Sequence, residues 1–159
     1  MFKAKGIYLA TLDSINFDKK VGEKHKAQII SDNVQAGGLA DYCNELIEKE
    51  HVGGSLEIAA VLVKKFHNGG IRAFLGVVEN ENEEKQRYVV VFKIGGSSYV
   101  ADIEKEFDQA SENAVYGLKY EDFVAENPTM RVFKNLFGSS CNDVFFGDFY
   151  SKNNKEYLK

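Results

Sequence analysis

The sequence predicts an α+β fold in which a buried central helix packs on an antiparallel β-meander. Two observations carry this. Residues 55–67 hold Leu56, Ile58, Ala59, Ala60, Val61, Leu62, Val63 and Phe66, leaving almost no polar face. A helix that is apolar all round is buried on most sides. Directly after it come three apolar runs, IRAFLGVV (71–78), RYVVVFKI (87–94) and SYVADI (98–103). The links between them are too short for a crossover, so the strands pair antiparallel and a doubly wound parallel sheet is excluded. A chain of 159 residues fits a single domain over 1–159 with a sizeable core.

The elements follow in order. Residues 5–11 (KGIYLAT) read as a short strand or an anchoring arm. Residues 18–32 are polar with mixed helix signals, and Val21, Ala27, Ile29 and Ile30 are the candidates there for core packing. Gly37-Gly38 breaks the chain. In LADYCNELIEKE (39–50), Leu39, Tyr42, Cys43, Leu46 and Ile47 recur at helical spacing. Gly53-Gly54 breaks the chain again before the central helix, whose β-branched content would also allow a strand. Its length and the flanking Gly pairs favour helix.

The acidic stretch ENENEEKQ (79–86) reads as an exposed hairpin loop, and the nearly continuous apolar run at 87–94 as an inner strand. Gly95-Gly96-Ser97-Ser98 is a tight turn. Residues 118–126 and 128–137 read as helices, with Pro128 in a first turn. The aromatic segment 138–150 is expected to cover a sheet edge or a core flank. There is no internal repeat.

Composition narrows the function classes. A net charge of −4 and a pI near 5.5 argue against a general nucleic-acid binder, which needs clustered cations. Lys19-Lys20 and Lys64-Lys65 are short solvated pairs. No apolar run approaches the roughly 20 residues that span a bilayer. The N-terminal MFKAKGIYLATLD has no secretion leader pattern, so a soluble cytoplasmic protein with no membrane association is expected. Cys43 and Cys141 have no metal-ligand spacing. One long-range disulfide is open to them, and two reduced thiols are the favoured reading. No nucleotide or metal fingerprint occurs, and no cofactor is expected.

Three blocks carry chemistry. Gly53-x-Ser55-x-Glu57-x-Ala59 opens the buried helix, and Gly70-Ile71-Arg72-Ala73-Phe74-Leu75-Gly76 turns from it into a strand. RYVVVFKIGGSSYVAD (87–102) follows as strand, Gly turn and strand ending in Asp102. In this order the chain resembles transglutaminase-like domains, a branch of the papain-like cysteine-peptidase fold. The resemblance covers about residues 53–102. In that family a Cys at the helix N-terminus is the nucleophile, favoured as thiolate by the helix dipole. A His on the neighbouring strand takes its proton, and an Asp on the next strand orients the His.

Mapped onto this chain, the nucleophile position holds Ser55 and the base position holds Arg87, or Tyr88 if the register slips by one. Asp102 alone is retained. A serine needs a general base, and a guanidinium stays protonated. The resemblance therefore implies a degenerate triad and a domain that acts by binding a protein or peptide. Each residue also has a plainer role: Ser55 as a helix N-cap, Glu57 as a first-turn acid favoured by the helix dipole, and Asp102 as the N-cap of a short helix at 103–107. Arg87 is either a strand-edge charge or Asp102's partner in a cross-strand ion pair.

Two other readings stand beside this one. An active acyl-transfer or hydrolase enzyme would use Ser55 or Cys141 as nucleophile, with His51 or His67 as base. Those two histidines lie at opposite ends of the central helix and cannot share one site through it. His25 lies in a polar segment, and Cys43 on the apolar face of its helix reads as a packed thiol. An unrelated α+β accessory protein of a phage or mobile element would fit the Lys- and Asn-rich, Pro-poor composition. Exposed meander edges leave homo-oligomerisation open.

Overall fold

Helix α4 (Ser55–Asn68) is the element around which the chain is built, with every residue from Ser55 to Val63, and Phe66 beyond them, buried. The computed structural model describes residues 2–13, 15–79, 86–107, 117–133 and 150–151. Helix α1 (Phe2–Leu12) comes first, then strand β1 (Asn16–Phe17), α2 (Lys19–Ser31), a 3-10 turn (Ala36–Gly38), α3 (Leu39–Glu50) and β2 (Val52–Gly53). Beyond α4 run β3 (Ala73–Glu79), β4 (Gln86–Ile94), β5 (Ser97–Ala101), α5 (Ile103–Glu106) and β6 (Leu118–Lys119). Helix α6 (Tyr120–Glu126), β7 (Arg131–Phe133) and β8 (Tyr150–Ser151) complete the described chain.

The antiparallel meander is present as β3–β4–β5, but it is the centre of a larger sheet. Among the described residues six strands stand in the order β6-β5-β4-β3-β7-β8. Val90 pairs with Leu75 on one side and with Ala101 on the other, which makes β4 an inner strand. Its unbroken apolar run follows from burial on both faces. Tyr88, Val90 and Phe92 join the core shared with α4, while Val89 and Val91 join a second cluster with Phe123, Met130 and Val132. Side chains alternate between faces along a strand, so a strand covered on both sides needs no polar positions. Phe66 of α4 meets Phe92 of β4 at 5.0 Å between ring centroids. The meander's β3 edge is taken by β7, and β5's outer edge by β6.

Several boundaries depart from the sequence reading. Residues 5–11 lie within helix α1 rather than in a strand or arm. Ala4, Tyr8 and Leu12 are buried at a spacing of four, so one stripe seals the helix while its other faces are open. Ile71 and Arg72 precede β3, β5 ends at Ala101, and Ile103 already begins α5. Residues 118–119 form a strand ahead of α6, and 131–133 form β7 where a helix over 128–137 was expected. The Val-Phe pair of β7 is fully packed in the sheet, and this tertiary pairing overrides the local helical pattern. In α2, Ile29 is buried and Ile30 packs against the core, whereas Ala27 is exposed. The acidic loop tip at 80–85 and the aromatic segment at 138–149 lie outside the described residues. Among the described residues no helix is long and apolar enough to cross a membrane.

Helix α2 crosses the start of α4 at two glycines. A Cβ on Gly54 would lie 2.7 Å from the Gly22 Cα, and a Cβ on Gly22 would meet Gly54 just as closely. Backbone meets backbone there, so nothing flexible can yield. Gly22→Ala and Gly54→Ala are each expected to destabilise by roughly 1–3 kcal/mol. Gly6→Ala, in open space inside α1, is expected to stabilise by about 0.5–1 kcal/mol. Urea midpoints at constant m-value check both directions.

Candidate functional site

Ser55 is the first residue of α4 but not its cap. Gly54 takes the N-cap position, with φ −99° and ψ −173°. Its N–H is satisfied by the side chain of Glu57, whose Oε2 accepts it at 2.8 Å. Half a capping box thus closes the helix without a cap side chain. The Ser55 hydroxyl turns to the sheet instead, where its Oγ accepts the Tyr88 N–H at 2.9 Å in a buried contact. That bond gives a buried backbone donor at the start of β4 its acceptor.

The residue beside that bond is Arg87. Its Nη2 donates to Asp102 Oδ2 at 3.2 Å and to Asn127 Oδ1 at 3.1 Å. The cross-strand ion pair read as one alternative is the arrangement found. Asp102 stands at the N-cap position of α5 but makes no cap hydrogen bond; it is fully buried and spends Oδ2 on the guanidinium. Asp102 Oδ1 has no hydrogen-bond partner among the described residues. Tyr88, the alternative base position, is buried and donates its hydroxyl to Gln86 Oε1 at 3.0 Å. The Ser55 hydroxyl thus bonds the Tyr88 amide, while the side chain of the adjoining Arg87 pairs with Asp102.

On the other side of the same helix start lies a group that the sequence reading passed over. His25, taken there as part of a polar segment, is buried. Its Nδ1 lies 2.8 Å from Glu57 Oε2 and its Nε2 lies 2.7 Å from Glu50 Oε2. Glu57 is more than a first-turn acid: it is fully buried, and its Oε1 has no partner among the described residues. Burial pushes the Glu57 carboxyl above its usual range, against the opposing hydrogen bonds from Gly54 and His25. Burial pulls on His25 in the neutral direction, but the hydrogen bonds and charges of Glu57 and Glu50 together raise it above the ordinary histidine value. Two sequence signals point to this group. Glu57 is the one acid in the apolar run 55–63, and Gly22, His25 and Ile29 share one face of α2 at helical spacing.

The remaining candidates fall apart from the site. Cys43 is a buried thiol, as its place on the apolar face of α3 implied. Cys141 lies outside the described residues. His51 closes α3 in a left-handed conformation and is exposed. His67, at the far end of α4, donates from Nε2 to the Ala73 carbonyl at 2.8 Å. Among the described residues no group of three His, Cys, Asp or Glu side chains is placed to hold a metal ion.

Beside Arg87 opens a cavity of about 360 Å³ lined by Phe17, Lys19, Arg87, Glu104, Lys105 and Phe107. The two phenyl rings stack at 5.2 Å with 12° between their planes. Lys19 pairs with Glu104 at 2.6 Å, and Lys105 is exposed. Lys19 is paired with Glu104 and Arg87 with Asp102, so Lys105 carries the net positive charge of the lining. The arrangement can hold an anionic group against a flat apolar surface.

Arg87→Ala is expected to destabilise by roughly 3–5 kcal/mol, because it leaves Asp102 buried and unpaired. Adding Asp102→Asn removes the stranded charge and recovers part of that loss, which a double-mutant cycle in urea measures. Comparison of the chain with models of known protein families and with curated proteins finds no match in either.

Proposed function

We propose that the chain is a transglutaminase-like domain that has lost catalysis and binds a protein or peptide in the cleft over Arg87. The observation that carries this reading is the state of the position where the family places its base. A guanidinium stands there, held by Asp102 at 3.2 Å, and it cannot accept a proton at any pH at which proteins fold. Ser55 supports the same reading, since its oxygen is occupied by the Tyr88 N–H. The packing of α4 on the face of an antiparallel sheet also supports it.

The cleft's chemistry selects the class of ligand. With Lys19 paired to Glu104 and Arg87 to Asp102, Lys105 adds the net positive charge that favours an anion, and the stacked Phe17 and Phe107 rings favour an apolar side chain beside it. A peptide presenting a carboxylate next to an apolar residue satisfies both. Side chains of this kind in peptide sites act through charge pairing at the rim and burial at the floor.

Titration calorimetry with short peptides ending in a free carboxylate after an aromatic residue tests this. Such peptides are expected to bind, their C-terminal amides to bind at least several-fold more weakly, and the exposed substitution Lys105→Glu to weaken the acids selectively. No peptide bond is expected to be cleaved or acylated. Turnover abolished by Ser55→Ala would overturn the reading, as would equal affinity for acid and amide.

The resemblance itself has a separate check. Ser55→Cys together with Arg87→His restores the family's residues at both lost positions. The cysteine in the double variant is expected to react with iodoacetamide faster than the same cysteine in Ser55→Cys alone, as resolved by peptide mass mapping. Equal rates would mean that position 87 does not serve position 55, and that the likeness is coincidental.

A further inference from the structure

We infer that His25 is a positioning residue: by holding a proton between Glu57 and Glu50, it fastens the α2 wall of the cleft to helices α3 and α4. Its effect on ligand rests on the cleft reading above; the fastening itself does not.

The inference starts from a count of hydrogens. Both ring nitrogens of His25 lie within hydrogen-bond distance of a carboxylate oxygen, at 2.8 and 2.7 Å. A neutral imidazole has one N–H and one bare lone pair. With two ionised carboxylates, one of these contacts would set a lone pair against a lone pair. Both contacts are attractive only when the group carries one more proton, and as imidazolium the ring donates to each side. The contact with Glu57 is enclosed, so water cannot take over for the missing hydrogen.

The three residues sit on three helices: His25 on α2, Glu50 at the end of α3 and Glu57 in the first turn of α4. The other element against α2 here, β2, contributes only Val52 and Gly53 and has no titratable group. Lys26, next along α2, is turned to the sheet, where it donates to Gln86 Oε1 at 2.7 Å and lies over the Tyr88 ring. Glu50 and Glu57 are thus the charges that face His25. Helix α2 begins at Lys19, and the strand before it ends at Phe17, so two residues of the cleft lining enter on this segment. The His25 bridge ties the segment down together with the β1–β2 pairing, the glycine contact, buried Ile29, the Lys26–Gln86 hydrogen bond and the Lys19–Glu104 pair.

The direction with pH follows. A histidine raised in the fold contributes stability that is complete below the ordinary value of about 6.5 and is lost as pH climbs through the folded value. Glu57, also raised, acts in the same sense, because the fold favours its protonated form over the ionised one. The bridge is therefore firm in mildly acidic solution and loosens as the solution becomes basic.

Amide exchange of unliganded protein, corrected for intrinsic rates, reads the bridge directly. Protection of the α2 amides is expected to fall several-fold between about pH 6 and pH 8.5, in step with the titration of the His25 ring followed by NMR. Glu50→Gln is the decisive variant, because Glu50 is half exposed and its replacement need not disturb the core. A glutamine there can donate to Nε2 while neutral His25 donates from Nδ1 to Glu57, so the extra proton is no longer needed. This variant is expected to keep α2 protected across the range and to flatten its slope. A His25 ring that is neutral at pH 6, or a Glu50→Gln slope equal to the native one, would overturn the inference. Peptide affinity measured over the same range separates the two readings. An affinity that weakens with the exchange profile supports the link to the cleft. An exchange profile that moves while affinity stays level overturns that link and leaves peptide binding standing.

Discussion

The carboxylate of Glu57 has no access to water, and it sits in the first turn of the helix that the rest of the molecule encloses. A buried acid without partners is among the most costly groups a fold can hold. Much of the helical half of the protein can be read as the answer to it. The Gly54 amide caps it from within the chain, and His25 reaches it from α2. His25 in turn needs Glu50, which places the end of α3. For His25 to reach that depth, α2 must cross α4 in backbone contact, and the facing glycines Gly22 and Gly54 allow it. One acid thereby sets the mutual position of three helices.

The start of β4 repeats the pattern with a different cation. There the fully buried acid is Asp102, and the cation is Arg87, steadied by Asn127. Between the two groups stands Ser55, the small residue whose hydroxyl joins helix to strand through the Tyr88 amide. The start of α4 is thus flanked by two separate charge clusters, each with an acid in the interior and its partner nearer the surface. Neither cluster can lose its cation without stranding the acid. This ties the region's chemistry to its stability and explains why a polar, charged neighbourhood persists around a helix with no polar face.

The parts of this legible in the sequence were those set by local pattern. An all-apolar helix between glycine pairs and three runs joined by short links announce α3, α4 and the β3–β5 meander, because burial and short connections leave few alternatives. Residues 5–11 misled because Ile7 and Tyr8 favour strand, whereas the seal on the core comes from Ala4, Tyr8 and Leu12 at a spacing that only a helix aligns. Residues 131–133 misled for the opposite reason: their place in the sheet is decided by β3, more than 50 positions earlier. Within the site, the pairing of Arg87 with Asp102 followed from strand order. The partnership of His25 with Glu57 spans 32 residues and no short-range spacing encodes it. Only the anomaly of an acid inside an apolar run hinted that such a partner must exist.

That anomaly bears on how the cleft would work. On the proposed reading the base position was taken by arginine while the acid behind it stayed, and the physics of burial makes the two changes one. An acid that once oriented an imidazole is left uncompensated if the imidazole becomes an apolar residue, but an arginine keeps it paired. The replacement preserves the strand ends and the α5 junction where Asp102 sits, while it exchanges a group that can carry a proton for one that cannot release its own. On that reading the same guanidinium, still paired with Asp102, faces the cavity beside Phe17 and Phe107 and helps to hold an acid rather than react with one. The proton that can still move near this helix start is on the opposite side, between His25 and its two carboxylates. On that reading the titratable group at this helix start stands on the face that positions the wall rather than on the one that meets a ligand.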